Sequence, residues 1–179
     1  MERNLTLIAL FAALIAALGL VPKLTLISGV PISAQSLGIM LCGTVLGAKR
    51  GALAVLLFLA LVALGLPLLA GGRGGLGVFS GVTMGYLIGF PVAAFVTGLL
   101  AEMWRSRGGF IFPAVAALIG GVVVLNVLGI IGMSIKLDKT LADAALLATP
   151  FIPGDVLKCV LAGLITQGLL KARPGLVRA

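Results

Sequence analysis

Six long apolar stretches, punctuated by glycine, proline and charge, organise this chain: Leu5–Val21, Ser36–Ala48, Ala52–Leu69, Phe79–Leu100, Phe110–Met133 and Pro153–Leu170. A helix needs about 20 apolar residues to cross the hydrocarbon core of a bilayer. The second stretch is short for this, and it either tilts little or borrows from Val30–Gln35. The pattern predicts an all-α integral membrane protein with six transmembrane helices. Residues 1–179 then form one membrane-embedded unit, with almost nothing left over for a soluble domain.

The charges give the spans a direction. Lys49 and Arg50 fall between spans two and three, Arg105 and Arg107 between four and five; Arg3 precedes span one, and Lys171, Arg173 and Arg178 follow span six. The opposite side holds Lys23, Arg73, Lys136 and Lys139, the last two sharing a loop with Asp138 and Asp143. By the positive-inside rule both termini are cytoplasmic. The first span, longer than an ordinary signal-peptide core, is read as a membrane helix and not as a cleaved leader.

Composition agrees and narrows the function. The chain is 61 % hydrophobic and 10 % charged, against roughly a quarter charged in soluble domains. Its net charge of +8 follows from topology, and no nucleic-acid partner is expected, since such sites group Lys and Arg on one face. There is no His, the commonest general base and metal ligand. No carboxylates are paired and no nucleophile has a base at helical spacing, so neither an enzyme nor a metal or cofactor site is expected. Cys42 and Cys159 read as small packing residues. Without an ATP-binding motif the chain cannot by itself drive transport by hydrolysis.

Three features collect on the outer face: the loop Pro22–Gln35, the loop Pro67–Val78, and the start of span six at Pro153-Gly154-Asp155. That asymmetry suits a protein that captures a ligand from outside. On span one, Ala9, Ala13 and Ala17 repeat every four residues, with Ala12 and Ala16 beside them. Such a stripe admits close helix approach, either to a neighbouring span or to another membrane subunit.

The most informative residues are Asp155 and Lys158, three positions apart on one helix face, because an ionisable residue at membrane depth marks a site by default. The plainer reading is a helix cap neutralised one turn on. However, a buried pair seldom adds stability over apolar residues, and a ligand with donors and acceptors would give it a use. Arg73 is the only charge in the run Gly71–Gly77, which lacks the Lys-Ser/Thr ending of a phosphate loop. Its guanidinium suits a carboxylate, or it faces headgroups in a plain connector. Phe79 and Tyr86 are interfacial anchors or the wall of a small pocket, with Thr83 and Gln35 as its polar groups.

These pieces taken together resemble the BioY family, the biotin-binding S components of energy-coupling factor (ECF) transporters. The resemblance lies in Val30-Pro31-Ile32-Ser33-Ala34-Gln35, Leu46-Gly47-Ala48-Lys49-Arg50-Gly51, Gly65-Leu66-Pro67, the Gly71–Gly77 loop, Gly81–Phe90 and Pro153-Gly154-Asp155-Val156-Leu157-Lys158, in family order over about two-thirds of the chain. The family's Gly-Pro-Thr-Gly-Gly-Tyr pattern is met here with Val82 for the Pro and Met84 for a Gly. The resemblance implies a six-helix S-component fold in the cell membrane and outward-facing biotin capture. It also implies delivery by a partner module of one transmembrane T subunit and two ATPases, with the T subunit on the Ala9/Ala13/Ala17 face. Two alternatives stand beside it: an S component for riboflavin, thiamine or a similar vitamin, and a non-transporting scaffold. Whether the chain self-associates is not fixed by the sequence.

Overall fold

Leu- and Ala-rich runs favour helix, and in hydrocarbon a helix satisfies every backbone group within its own segment. The computed structural model, which describes residues 2–22, 24–25, 31–173 and 175–177, accordingly folds into six helical rods. Three are single helices: α1 (Glu2–Leu18), α2 (Gln35–Leu46) and α3 (Ala48–Ala63). The fourth, α4 (Met84–Trp104), follows a 3₁₀ turn at Leu76–Ser80. The fifth joins α5 (Ile111–Ala117) to α6 (Leu125–Leu137) through a π-helical segment, Leu118–Val124. The sixth joins α7 (Leu141–Ala148) through the turn Thr149–Phe151 to α8 (Ile152–Ala172). Between α1 and α2, the two-residue strands β1 (Leu24–Thr25) and β2 (Pro31–Ile32) pair antiparallel. Lys23, residues 26–30 of the first long loop, and Arg178 lie outside the described residues.

Residues Met84–Arg107, Ile111–Leu137 and Leu141–Ala172 form helices long and apolar enough to cross a membrane. Several boundaries differ from the sequence pattern. The third rod ends at Ala63 and not at Leu69, just before Gly65 with φ +103°, and two others have physical reasons as clear. The fourth rod starts at Met84 instead of Phe79, because Gly81 is extended and separates it from the 3₁₀ turn. Lys49-Arg50-Gly51 is not a loop: α3 starts at Ala48, and Gly47 alone separates it from α2. Gly47 has φ +83°, and a Cβ there would collide with the Glu102 carboxylate. Glu102 Oε1 accepts the Ala48 N–H at 3.0 Å, satisfying one of the free donors at the start of α3.

α2 is the centre of the bundle. All of its residues but Leu37 are buried, against α1, α3, α4 and α8. The main core draws Phe11 and Ile15 from α1, Met40 and Val45 from α2, Phe58 and Val62 from α3, and Leu87 and Ala93 from α4. A second cluster, Met133, Ala144, Ala148 and Phe151, takes in Val82. On α1, Ala12 is buried and Ala16 half-buried, while Ala9, Ala13 and Ala17 are exposed. At one end of the bundle the Arg3 guanidinium donates to the Gly175 carbonyl. The start of α2, the start of α4, the Pro67–Val78 loop and the start of α8 meet at the other end.

Candidate functional site

At that meeting point lies a cavity of about 70 Å³. Its polar floor comes from α2 and α8. Asp155, 7 % exposed, places Oδ1 2.9 Å from Lys158 Nζ, and the same oxygen accepts from Ser36 Oγ at 3.3 Å. The Lys158 ammonium also donates to the Ser33 carbonyl and to Ser36 Oγ, each at 2.8 Å. All three of its N–H groups are thereby engaged. Asp155 Oδ2 takes no hydrogen bond among the described residues, so the carboxylate has acceptor capacity left at the cavity. The spacing of Asp155 and Lys158 brings them together as the sequence predicts, and Ser36 completes a three-membered network across two helices.

Gln35 lines the cavity but is itself held fast. It is 2 % exposed; its Nε2 donates to the carbonyls of Ile15 at 3.2 Å and Leu68 at 3.0 Å, and its Oε1 accepts from the Ala70 N–H at 2.9 Å. One side chain thus ties the Pro67–Val78 loop to the end of α1. The loop is a formed turn: Leu69 pairs with Arg73, and Gly71, Gly72 and Gly75 adopt positive φ. Arg73 Nε reaches back to the Ala70 carbonyl at 3.3 Å. Partial burial pulls the Arg73 pKa down from its ordinary value, though a guanidinium stays charged at any physiological pH. Arg73 and Thr83 line both the cavity and an outer vestibule of about 500 Å³ that contains Gly77, so these two side chains stand between the two spaces.

The apolar wall is Tyr86, Leu87, Phe90, Leu125 and Phe151. Tyr86 and Phe151 pack with ring centroids 5.9 Å apart at 49°, within the range of favourable aromatic pairs. Gly129 on α6 makes room for the Tyr86 ring, which a Cβ there would strike. The Tyr86 hydroxyl donates to Asn126 Oδ1 at 3.4 Å, and Asn126 Nδ2 donates to the Val122 carbonyl of the π-helical segment at 2.9 Å.

Of the candidates named from sequence, Asp155, Lys158, Arg73, Gln35, Thr83 and Tyr86 all line the cavity, whereas Phe79 packs on the main core. Val82 lines the vestibule and not the cavity. Ala9, Ala13 and Ala17 lie on the exposed side of α1, away from the site. Sequence reading missed Ser36, Phe90 and Phe151. The signals were present: Phe151 and Asp155 stand four apart, and Thr83, Leu87 and Phe90 share one helix face.

The BioY family model matches residues 2–175. A protein of Rhodobacter capsulatus named biotin transporter BioY is 50 % identical, over 100 % of this chain and 99 % of that protein. One of the same name from Rhizobium etli is 48 % identical, over 96 % of this chain and 95 % of its own length. Among solved structures, the S-component for biotin from an ECF-type ABC transporter superposes with a TM-score of 0.88 at 32 % identity, covering 95 % of this chain and 92 % of that one.

Proposed function

This chain belongs to the BioY family, and we propose on that footing that it is the S component that captures biotin for an ECF transporter. The observation that carries the reading is the Asp155 carboxylate. Lys158 and Ser36 hold one of its oxygens, and the other keeps its capacity to accept at the cavity. Biotin's ureido ring offers two N–H donors, which that oxygen accepts as charge-assisted bonds. Lys158 holds Asp155 in one orientation instead of meeting the ligand. Tyr86, Phe90 and Phe151 cover the thiophane ring, Thr83 offers a hydroxyl, and Arg73 receives the carboxylate of the valeryl tail.

The chain spans the cell membrane several times, with its site on the external side and its Lys/Arg-rich end in the cytoplasm. It has no catalytic step of its own. ATP hydrolysis resides in two partner ATPases, and a transmembrane T subunit docks on the exposed Ala9/Ala13/Ala17 face of α1. Equilibrium binding of labelled biotin to detergent-purified protein tests the reading. Saturable binding at one site, competed by unlabelled biotin and not by riboflavin or thiamine, is expected. Competition by either of those vitamins would redirect the assignment to another S component, and no binding of any of the three would leave the scaffold reading.

A further inference from the structure

A second charged recess lies at the opposite end of the bundle, between the first turn of α3 and the C-terminal half of α4. Its volume is about 260 Å³, and Lys49, Arg50, Phe95, Leu99 and Glu102 line it. The single-residue corner at Gly47 builds it, by placing two cations in the first turn of a membrane helix and not in a loop. Glu102 forms no ion pair with them among the described residues; its Oε1 accepts the Ala48 N–H, and one carboxylate against two cations leaves the recess net positive. Among the described residues, Lys49 and Arg50 make no ion pair and no side-chain hydrogen bond. Two other cations at this end are engaged: Arg3 with the Gly175 carbonyl, and Arg107 over the Phe112 ring at 5.6 Å.

Phe95, Leu99 and Glu102 follow one another at four and three residues, on a single face of α4. Phe95 and Leu99 are 41 % and 42 % exposed. An apolar strip therefore leads from the two cations toward the middle of the bilayer. We propose that this recess binds one anionic phospholipid, its phosphate between Lys49 and Arg50 and an acyl chain along Leu99 and Phe95. Guanidinium and ammonium groups both suit phosphate, and basic residues at a membrane surface gain attraction from anionic headgroups. A water-soluble anion would leave the strip unused. The inference does not depend on what the other cavity holds.

The test is native mass spectrometry of the detergent-purified chain with phosphatidylglycerol or phosphatidylcholine added in equal amounts. The parent should keep one phosphatidylglycerol adduct in preference to phosphatidylcholine. Lys49→Gln with Arg50→Gln should lower that preference about tenfold, while Lys49→Arg with Arg50→Lys restores it. Lys171→Gln with Arg173→Gln, at the same end, should leave it unchanged. Should the double Gln variant not fold, Leu99→Glu provides the same loss by setting a carboxylate in the recess. An unchanged preference in these variants overturns the proposal, and so does displacement of the lipid by free glycerol 3-phosphate. A defect in assembly with a partner protein while lipid preference persists would assign the recess to a protein contact instead.

Discussion

Asp155 Oδ1 lies 2.9 Å from Lys158 Nζ and also accepts from Ser36 Oγ, so one carboxylate oxygen is held from two helices while its twin is left to the cavity. A buried pair of this kind rarely adds net stability; its effect is to fix a charged acceptor in one orientation. Asp155→Asn should weaken biotin binding by about 2–4 kcal/mol, because a charge-assisted bond is lost and Lys158 is left unmatched. Radioligand binding reads this directly. Parent-like affinity in the variant would remove Asp155 from the site.

Tyr86 depends on an absence across the helix seam. Gly129→Val should push its ring out of the wall and weaken biotin binding by about 1–3 kcal/mol. Tyr86→Phe keeps the ring and should cost less than about 1.5 kcal/mol, as it removes only the bond to Asn126. A larger loss for Tyr86→Phe than for Gly129→Val would mean the hydroxyl, not the ring, meets the ligand.

Gln35 is expected to act on the loop more than on the ligand. Gln35→Leu leaves the Ile15 and Leu68 carbonyls and the Ala70 N–H without that partner, at about 1–3 kcal/mol of stability. Thermal unfolding in detergent should shift down accordingly, and biotin should recover part of the shift. Unaltered unfolding would show that Gln35 does not anchor the loop.

Ala13 faces outward on α1, so Ala13→Leu should spare biotin binding in detergent yet reduce assembly with the T subunit, because close helix approach is blocked. Co-purification of the complex is the measurement. Loss of ligand binding in this variant would place the stripe in internal packing.

Ligand entry requires the site to widen: about 70 Å³ is well below the roughly 300–1,000 Å³ of small-molecule pockets. Saturating biotin should slow thiol labelling of Gly77→Cys in the vestibule and leave Ser106→Cys at the other end unaffected. On intact cells, a membrane-impermeant reagent should reach the first position only. Labelling of Ser106→Cys alone would invert the topology.

The parts of this architecture that depend on neighbours along the chain were readable from spacing. Asp155 and Lys158 sit one helical turn apart, and Thr83 and Tyr86 are likewise three positions apart. What could not be read depends on partners distant in sequence. Gln35 is defined by Ile15, Leu68 and Ala70, and Lys158 by Ser33 and Ser36 more than a hundred residues away. Lys49-Arg50 resembled a connector because charges usually mark one; Glu102, 54 positions on from Ala48, caps the helix start that makes them helical. Phe79 misled for the opposite reason, since an aromatic near a helix start looks the same whether it faces a cavity or a core.

The burial of α2 governs how such a protein is made. Its 12 residues rise only about 18 Å as a helix, against about 30 Å of hydrocarbon, and nearly all of them are enclosed by other helices. Released alone into a bilayer, this segment is too short to span it. Gly47 joins it directly to α3, whose Leu53, Leu56 and Leu57 do face outward, so α3 offers the lipid-facing surface that α2 lacks. Ser36 meets Asp155 and Lys158 only when α8 packs over α2, so the polar floor of the cavity forms only once the last helix has closed on the buried one.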